Sequence, residues 1–302
     1  MVPFSNRPMH HCSFHPFTPE AGGRAPGWVD LHMHSTLSDG SLSVAEMLDL
    51  AARRKLTAIA ITDHDNIDSW DQGKDLAASL GVELIPGVEI SSSWEGSDIH
   101  ILGYFFDPSN LALNQVLVRS KRRRLLRAKA MVRKLARLGL PIRFEKVLSY
   151  VQGGTVGRPH IARALLEEEY IHSFQEAFEK WLGPTCPAYV ETECLTPMEA
   201  IALINNAGGA AVMAHPMATD RDDIIPMLAE AGLKGIEIYC HHLPSAARRK
   251  YQDIARRHNL VWTGGSDSHG ERPGCPGIGS VKVSHTVVEK LLEARDRHFA
   301  EI

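Results

Sequence analysis

Short apolar runs rich in β-branched residues alternate along most of the chain with segments of amphipathic helical spacing. This alternation limits the possible folds more than any other feature, because it is typical of an α/β protein with a mostly parallel sheet. The predicted strands are Trp28–Met33, Ala58–Thr62, Glu83–Glu89, Ile99–Phe105, Ala210–Ala214, Gly235–Tyr239 and Val261–Gly265. Seven such strands favour a (β/α) barrel over an open sheet.

The stretch Pro108–Val190 interrupts the alternation, because it has helical spacing but no convincing strand. We interpret it as a helical insertion that caps the barrel. The predicted domains are a flexible tail over 1–27, a barrel over 28–107 and 191–302, and the insertion over 108–190. The tail is rich in Pro, His and Gly and lacks the apolar core of a signal peptide.

The cysteine content and the lengths of the apolar runs indicate the cellular compartment. The five cysteines form no C-x-x-C pair, which argues against a disulfide framework and favours a reducing cytoplasm. No apolar run is long enough for a transmembrane helix, so we expect no membrane partner. No obligatory protein partner is evident either.

The insertion carries an unusual charge distribution. No acidic residue occurs from Pro108 to Phe144, whereas 11 basic residues lie between Arg119 and Arg143, in a chain of formal net charge −3. A solvated helix face is the plain interpretation of such a run. A run of one sign repels itself unless an anion faces it, so phosphate-bearing ligands are the second interpretation.

Histidines and carboxylates recur on the predicted strands, usually at the C-terminal end, which in a (β/α) barrel is where catalytic sites are built; His100 instead lies at the start of its strand. A lone histidine there is usually structural, but nine buried and unpaired groups on six strands would cost roughly several kcal/mol each. Divalent cations would neutralise the carboxylates and accept imidazole donors, and the mixed ligands suit Mn, Zn or Fe. The nine residues are His32, His34, Asp39, His64, Glu89, His100, His215, Asp267 and His269.

These positions also carry recognisable motifs. They are Asp-Leu-His-Met-His over 30–34 with Ser-Asp-Gly over 38–40, Ile-Thr-Asp-His-Asp over 61–65, Gly-Val-Glu over 87–89 and Gly-Ser-Asp-Ser-His over 265–269. In residue type, order and spacing they resemble the motifs of the PHP (polymerase and histidinol phosphatase) family, from Val29 to about Ser280. Within that family the likeness is to stand-alone enzymes with a helical insert, which include a nucleoside 3′,5′-bisphosphate phosphatase and a 5′-3′ exoribonuclease acting on short RNA.

The resemblance implies a distorted seven-stranded (β/α) barrel, the PHP fold, with three divalent metal ions per chain. We expect these ions to be Mn, with Zn, Fe or Mg as alternatives. It implies one metal on His32, His34, Glu89 and Asp267, a second on Glu89, His100 and His215, and a third on Asp39, His64 and His269. A hydroxide bridging two metals would attack phosphorus, so no protein nucleophile is required.

Substrate contacts are predicted from fewer residues. Arg158 opens a helix after Gly157 and offers a two-pronged fork for a phosphate, with a helix N-terminus beside it. The resembling enzymes carry a similar Arg-Pro-His run, which adds His160, and His242 is a further candidate. A solvent-exposed Arg158 is the alternative interpretation.

We therefore expect a phosphatase that removes the 3′-phosphate from nucleoside 3′,5′-bisphosphates, the small nucleotide being its partner. Exonucleolytic trimming of short RNA is the first alternative, and histidinol phosphatase is the second. A non-enzymatic PHP module beside a polymerase would show eroded ligands or a polymerase segment, and this sequence has neither.

Overall fold

The structure is a computed structural model that describes residues 27–240, 243–270 and 276–300, the last three without their side chains. The predicted tail therefore lies outside the described residues, except for Gly27. The described strands are β1 (Trp28–Asp30), β2 (Leu56–Ala60), β3 (Glu83–Ile85), β4 (Gly87–Trp94), β5 (Ser97–Tyr104), β6 (Ala210–Met213), β7 (Gly235–Tyr239), β8 (Val261–Gly264) and β9 (Val283–Ser284).

Eleven α-helices lie between and after these strands in the described ranges. They are α1 (Val44–Arg53), α2 (Asp68–Leu80), α3 (Leu111–Arg137), α4 (Phe144–Ser149), α5 (Arg158–Glu167), α6 (Phe174–Ala177), α7 (Pro197–Asn206), α8 (Pro216–Thr219), α9 (Ile225–Glu230), α10 (Ser245–Arg257) and α11 (Thr286–Ala300). Helices α1 and α7 begin at the capping boxes of Ser43 and Thr196. No described helix is long and apolar enough to cross a membrane.

The α/β class is confirmed, but a closed barrel of seven strands is not. The described strands pair as two sheets, in the orders β3-β2-β1-β9 and β4-β5-β6-β7-β8. Both sheets are mixed, because β9 is antiparallel to β1 and β5 is antiparallel to both β4 and β6. The expectation of a mostly parallel sheet is therefore only partly right.

The predicted strand Glu83–Glu89 is in fact two strands, because Pro86 has no N–H to donate to a ladder. β3 pairs in parallel with β2, whereas β4 forms a hairpin with β5. The two residues of its turn, Glu95 and Gly96, have φ of 48° and 80°. Two positive φ values are typical of the type I′ turn that fits the twist of a hairpin.

Two isolated parallel bridges connect the sheets beyond the strand ends. One joins Met33 to Ser268, and the other joins His64 to Glu89. These bridges bring the segments after β1 and β2 next to the segment after β8 and to β4. The predicted ligands therefore gather at one end of the two sheets.

The insertion is helical, and no strand occurs between β5 and β6, a stretch that the structure describes in full. Its helices share an apolar core that includes Met131, Leu135 and Leu165, each with essentially no exposed surface. The first part of α3 packs differently, because Leu113 and Leu117 belong to the core around α7 and β5. Helix α3 thus connects the core of the sheets to the core of the insertion.

Candidate metal centre

Glu89 on β4 is 1% exposed, and its carboxylate is the centre of the cluster of ionisable residues. Its Oε1 lies 2.8 Å from His100 Nδ1 and 3.1 Å from His215 Nε2. Its Oε2 lies 3.0 Å from His64 Nδ1 and 3.2 Å from His34 Nε2. Histidines from four separate chain segments therefore converge on one carboxylate.

Two further carboxylates, Asp267 and Asp39, flank His34. Asp267 Oδ1 lies 3.2 Å from His34 Nε2 and 3.4 Å from His32 Nε2. Asp39 Oδ1 lies 3.8 Å from His34 Nδ1 and 3.5 Å from His269 Nε2. With the contacts of Glu89, these distances bring all nine predicted residues into one connected cluster, which we call the metal centre.

Within the metal centre, three subsets offer ligand atoms that lie within 4.8 Å of one another. They are His34, Asp39, His64 and His269; His32, His34 and Asp267; and His64, Glu89 and His100. The first subset contains all of the predicted third group. His64 also approaches Glu89, and His215 contacts Glu89 without joining a subset. The individual ligand roles remain predictions.

The donor set fits divalent cations. Four buried atoms of the metal centre make no hydrogen bond among the described residues, namely Asp39 Oδ1, His64 Nδ1, Glu89 Oε2 and His215 Nδ1. A buried polar atom without a partner costs roughly 1–3 kcal/mol, so a cation that engages such atoms would stabilise the cluster. Imidazole nitrogens mixed with carboxylate oxygens suit Mn, Fe and Zn.

The charges of the metal centre depend on one another. Burial alone would raise the pKa of Glu89, but His64 and His100 hold it well below its usual range. Burial alone would lower the pKa of His34, whereas the neighbouring carboxylates of Asp267 and Glu89, each 3.2 Å from its Nε2, raise it to about 10. Without a metal ion, the His34 imidazole is therefore protonated on both nitrogens and positively charged. A metal ion that binds one nitrogen would displace the proton from it.

Glu237 on β7 contacts residues of the metal centre, and the sequence analysis missed it. It is 1% exposed, and its Oε1 lies 3.1 Å from His32 Nδ1. Its Oε2 accepts a 2.8 Å hydrogen bond from the backbone N–H of His215. Glu237 therefore orients the His32 ring so that Nε2 faces Glu89 and Asp267. A single acidic residue inside the apolar run Gly235–Tyr239 was the available sequence signal.

Asp63 holds the loop that carries Asp39. It accepts hydrogen bonds from the Ser35 N–H at 2.8 Å, from the Ser35 hydroxyl at 2.6 Å and from the Ser38 hydroxyl at 2.6 Å. Burial raises the pKa of Asp63, and the serine hydrogen bonds limit that rise. The hydrogen bonds to Asp63 thus hold the loop after β1 in place, and this loop positions Asp39.

Asp30 plays the same part for the segment that carries Asp267. It accepts hydrogen bonds from the Ser266 N–H at 2.8 Å and from the Gly279 N–H at 2.7 Å. Burial raises its pKa to about 6 in spite of these bonds. Asp267 itself has a φ of 52°, and His215 one of 25°. Positive φ in residues other than glycine is uncommon and tends to occur at functional sites.

A cavity of about 130 Å³ lies between the metal centre and the insertion, and we call it the active-site cavity. Residues of the metal centre line one wall, and arginines of the insertion line the other. They are Asp39, His64 and His100 on the first wall and Arg123, Arg124, Arg127 and Arg158 on the second. Arg119 and Arg122 are exposed instead. Part of the basic run therefore faces the cavity, and part is solvated.

Arg158 and Arg127 lie close together in this cavity. Arg158 Nη2 is 2.9 Å from Asp98 Oδ2, and Arg127 Nε donates a 2.9 Å hydrogen bond to the Val190 carbonyl. The guanidinium of Arg127 also lies 5.0 Å from the centre of the Tyr189 ring. Burial and the neighbouring Arg158 lower the pKa of Arg127. Arg158 therefore has a carboxylate partner, whereas Arg127 contacts a backbone carbonyl and an aromatic ring.

The remaining predicted contacts differ in their surroundings. Asp65, which follows His64 in the sequence, lies 2.6 Å from Arg124 Nε and accepts a hydrogen bond from the Ser91 N–H at 3.0 Å. His160 is 5% exposed and does not line the active-site cavity; its Nδ1 accepts the 3.0 Å hydrogen bond from the Gly157 N–H at the start of α5. His242 lies outside the described residues.

Sequence comparison identifies related proteins. The profile of the PHP domain matches residues 30–183. A 3′,5′-nucleoside bisphosphate phosphatase of Chromobacterium violaceum is 33% identical over 264 residues, which cover 85% of this chain and 91% of the relative. The 5′-3′ exoribonuclease Rnm of Escherichia coli is 34% identical over 257 residues, which cover 82% of this chain and 86% of the relative.

Structure comparison agrees with the sequence comparison. A candidate metal-dependent phosphoesterase of Bifidobacterium adolescentis superposes with a TM-score of 0.82 at 32% identity. The match covers 90% of this chain and 97% of that protein. Because the superposition covers nearly all of both chains, it includes the insertion as well as the two sheets.

Proposed function

The chain belongs to the PHP domain family, and from this premise we propose that it removes the 3′-phosphate from nucleoside 3′,5′-bisphosphates such as pAp. It is a phosphoric ester hydrolase with a metal-dependent phosphoesterase fold. The proposal concerns the substrate, the number and kind of ions and the residues that bind them.

The nine residues of the metal centre are proposed to hold three ions, with Mn as the first choice. His32, His34, Glu89 and Asp267 would hold one ion, Glu89, His100 and His215 a second, and Asp39, His64 and His269 a third. When bound, such ions lower the pKa of a water molecule and neutralise charge on the phosphate. Glu237, Asp63 and Asp30 hold the ligand-bearing segments in place, so little rearrangement is needed when ions bind.

The active-site cavity is the observation that carries the substrate proposal. It joins the metal centre to two arginines of the insertion, Arg127 and Arg158, of which only Arg158 has a carboxylate partner among the described residues, Asp98. A ligand with two phosphates can place one at the metal centre and one at the arginines, whereas a simple phosphomonoester provides no second phosphate for them. The guanidinium of Arg158 offers paired N–H donors for the second phosphate.

The insertion over 108–190 is proposed to act as a cap that limits access of water and of bulky esters to the metal centre. Its own apolar core allows it to present the arginines on a firm support. The two sheets, joined by the bridges near Met33 and His64, are proposed to act as one distorted barrel beneath it. The ion pair of Asp65 with Arg124 connects the insertion to the segment that carries His64.

A phosphate-release screen tests the substrate proposal. The purified protein with added Mn²⁺ would be given nucleoside 3′,5′-bisphosphates, 5′-phosphorylated short RNA, histidinol phosphate and an aryl phosphate. We expect the bisphosphate to have the highest kcat/KM. A preference for histidinol phosphate would overturn the proposal, since that ester has no second phosphate.

Trimming of short RNA from its 5′ end is a second candidate function. The exposed Arg119 and Arg122 extend the basic surface of α3 beyond Arg123, which lines the active-site cavity. A following nucleotide could lie along this surface, because phosphate contacts carry most of the sequence-independent affinity for nucleic acids. Stepwise release of mononucleotides from a labelled oligoribonucleotide would support this activity, and intact oligoribonucleotide after full turnover of pAp would exclude it.

A further inference from the structure

A second cavity, of about 310 Å³, lies away from the metal centre. Strands β8 and β9 line it, and these are the terminal strands of the two sheets, which do not pair with each other. Its residues on β8, Val261 and Trp262, begin that strand, whereas Asp267 follows the strand's other end. Its residues on β9 pair with the first residues of β1. The described lining also includes Tyr239, the last residue of β7, but none of the nine residues of the metal centre. This rear cavity is therefore separate from the metal centre.

The floor of the rear cavity is apolar and aromatic. Val283 and Val287, from β9 and α11, are 2% and 8% exposed, and both line it. The half-buried ring of Trp262 lines it as well. The Arg256 guanidinium lies over this ring, 5.0 Å from the ring centre. Such a floor suits a planar ring, because stacking and apolar burial both favour it.

The rim of the rear cavity is positively charged. Lys282, Lys290 and Arg297 line it and are exposed, and Glu293 is the one carboxylate among its described lining residues. Within the described chain, none of the three cations has a carboxylate within salt-bridge distance. Three cations and one anion around one opening attract a negatively charged ligand.

We propose that the rear cavity binds a small anion that carries an aromatic ring, at a site separate from the metal centre. The ring would lie on the apolar floor beside Trp262, and the anionic group would face Lys282, Lys290 and Arg297. The volume is at the lower end of the range for small-ligand sites, which fits a compact ligand of about the size of a nucleoside monophosphate. This inference does not depend on the proposed function.

Trp262 provides a local probe of occupancy. The fluorescence of the wild-type holoenzyme minus that of the Trp262→Phe variant isolates this residue among the five tryptophans. Titration would use AMP, adenosine, which has the ring without the charge, and inorganic phosphate, which has the charge without the ring. We expect AMP to change the Trp262 signal and to bind about tenfold or more tightly than either of the others.

Charge variants supply the second measurement. The double change Lys282→Ala and Lys290→Ala should weaken AMP binding by about tenfold, whereas Glu293→Gln should strengthen it about two- to fivefold. Opposite directions are not expected from a loss of folding. Lys55→Ala, at an exposed lysine outside the cavity lining, and Arg158→Ala, in the active-site cavity, should leave the Trp262 signal unchanged.

Three outcomes would overturn the inference. They are the absence of any Trp262-dependent response to all three probes up to millimolar concentration, equal affinity for phosphate and AMP, and an AMP affinity that neither the lysine variants nor Glu293→Gln changes. Circular dichroism of each variant verifies that the protein is folded.

Discussion

The two walls of the active-site cavity are built in different ways. On the wall of the metal centre, ionisable side chains contact one another around Glu89, and buried acids such as Glu237 fix them from behind. On the opposite wall, Arg127 and Arg158 extend from helices that pack on a separate apolar core. Under the proposed function, the chemistry would depend on groups held by mutual contact, whereas the choice of substrate would depend on charges that the insertion presents.

The largest expected effect follows from breaking the wall of the metal centre. His64→Ala and Asp267→Ala should each lower kcat by about a thousandfold or more for every phosphate ester, because each removes a group that is proposed to hold an ion and stabilise developing charge. Phosphate release with pAp and with an aryl phosphate is the measurement. Turnover near the wild-type rate in either folded variant would contradict the assignment of the metal centre.

A smaller loss of activity is expected from a change at Glu237, which contacts His32 of the metal centre from the side away from Glu89 and Asp267. Glu237→Gln keeps the size of the side chain but removes the charge that faces His32 Nδ1. Partners of this kind behind a metal ligand are typically worth about 10- to 100-fold in metal affinity or activity. The Mn²⁺ concentration that gives half-maximal activity should therefore rise. Glu83→Gln, at an exposed glutamate on β3, is the matched control and should leave that concentration unchanged.

The same contrast explains how much could be read from the sequence. The nine residues of the metal centre were identifiable because they lie at or near the ends of predicted strands, and seven of them fall in ordered motifs. The structure brings all nine together. Glu237 was missed because it lies in the middle of a strand and contacts its partners only through the fold. The hairpin of β4 and β5 was missed because the stretch around Pro86 was interpreted as one strand.

The role of the arginines was harder to predict, since helical spacing does not show which face of α3 meets the sheets. Arg123 and Arg127 line the active-site cavity, whereas Arg119 and Arg122 on the same helix are exposed. Arg124 is paired with Asp65, a contact between residues far apart in sequence. Long-range pairings of this kind depend on how the insertion sits on the sheets, which no local pattern encodes.

The opposite wall should give a selective effect. Arg158→Ala should raise KM for pAp by about tenfold and leave KM for an aryl phosphate nearly unchanged, because a charged hydrogen bond contributes about 1.5–3 kcal/mol. Arg127→Ala should act in the same direction. Arg119→Ala, an exposed position on the same helix as Arg127, is the matched control. Equal effects of Arg158→Ala on both substrates would remove that residue from recognition of the second phosphate.

The smallest effect on catalysis should come from the core that supports this wall. Leu165 is fully buried among the apolar side chains of the insertion, and Leu165→Ala should cost about 2–5 kcal/mol of stability there. Hydrogen exchange should then accelerate in α4 and α5, while strands β6 and β7 keep their protection. Turnover of an aryl phosphate should stay within about twofold, because the metal centre does not use this core. Equal acceleration in the strands would instead show that the insertion and the sheets unfold as one unit, and the separation of the two walls would then be wrong.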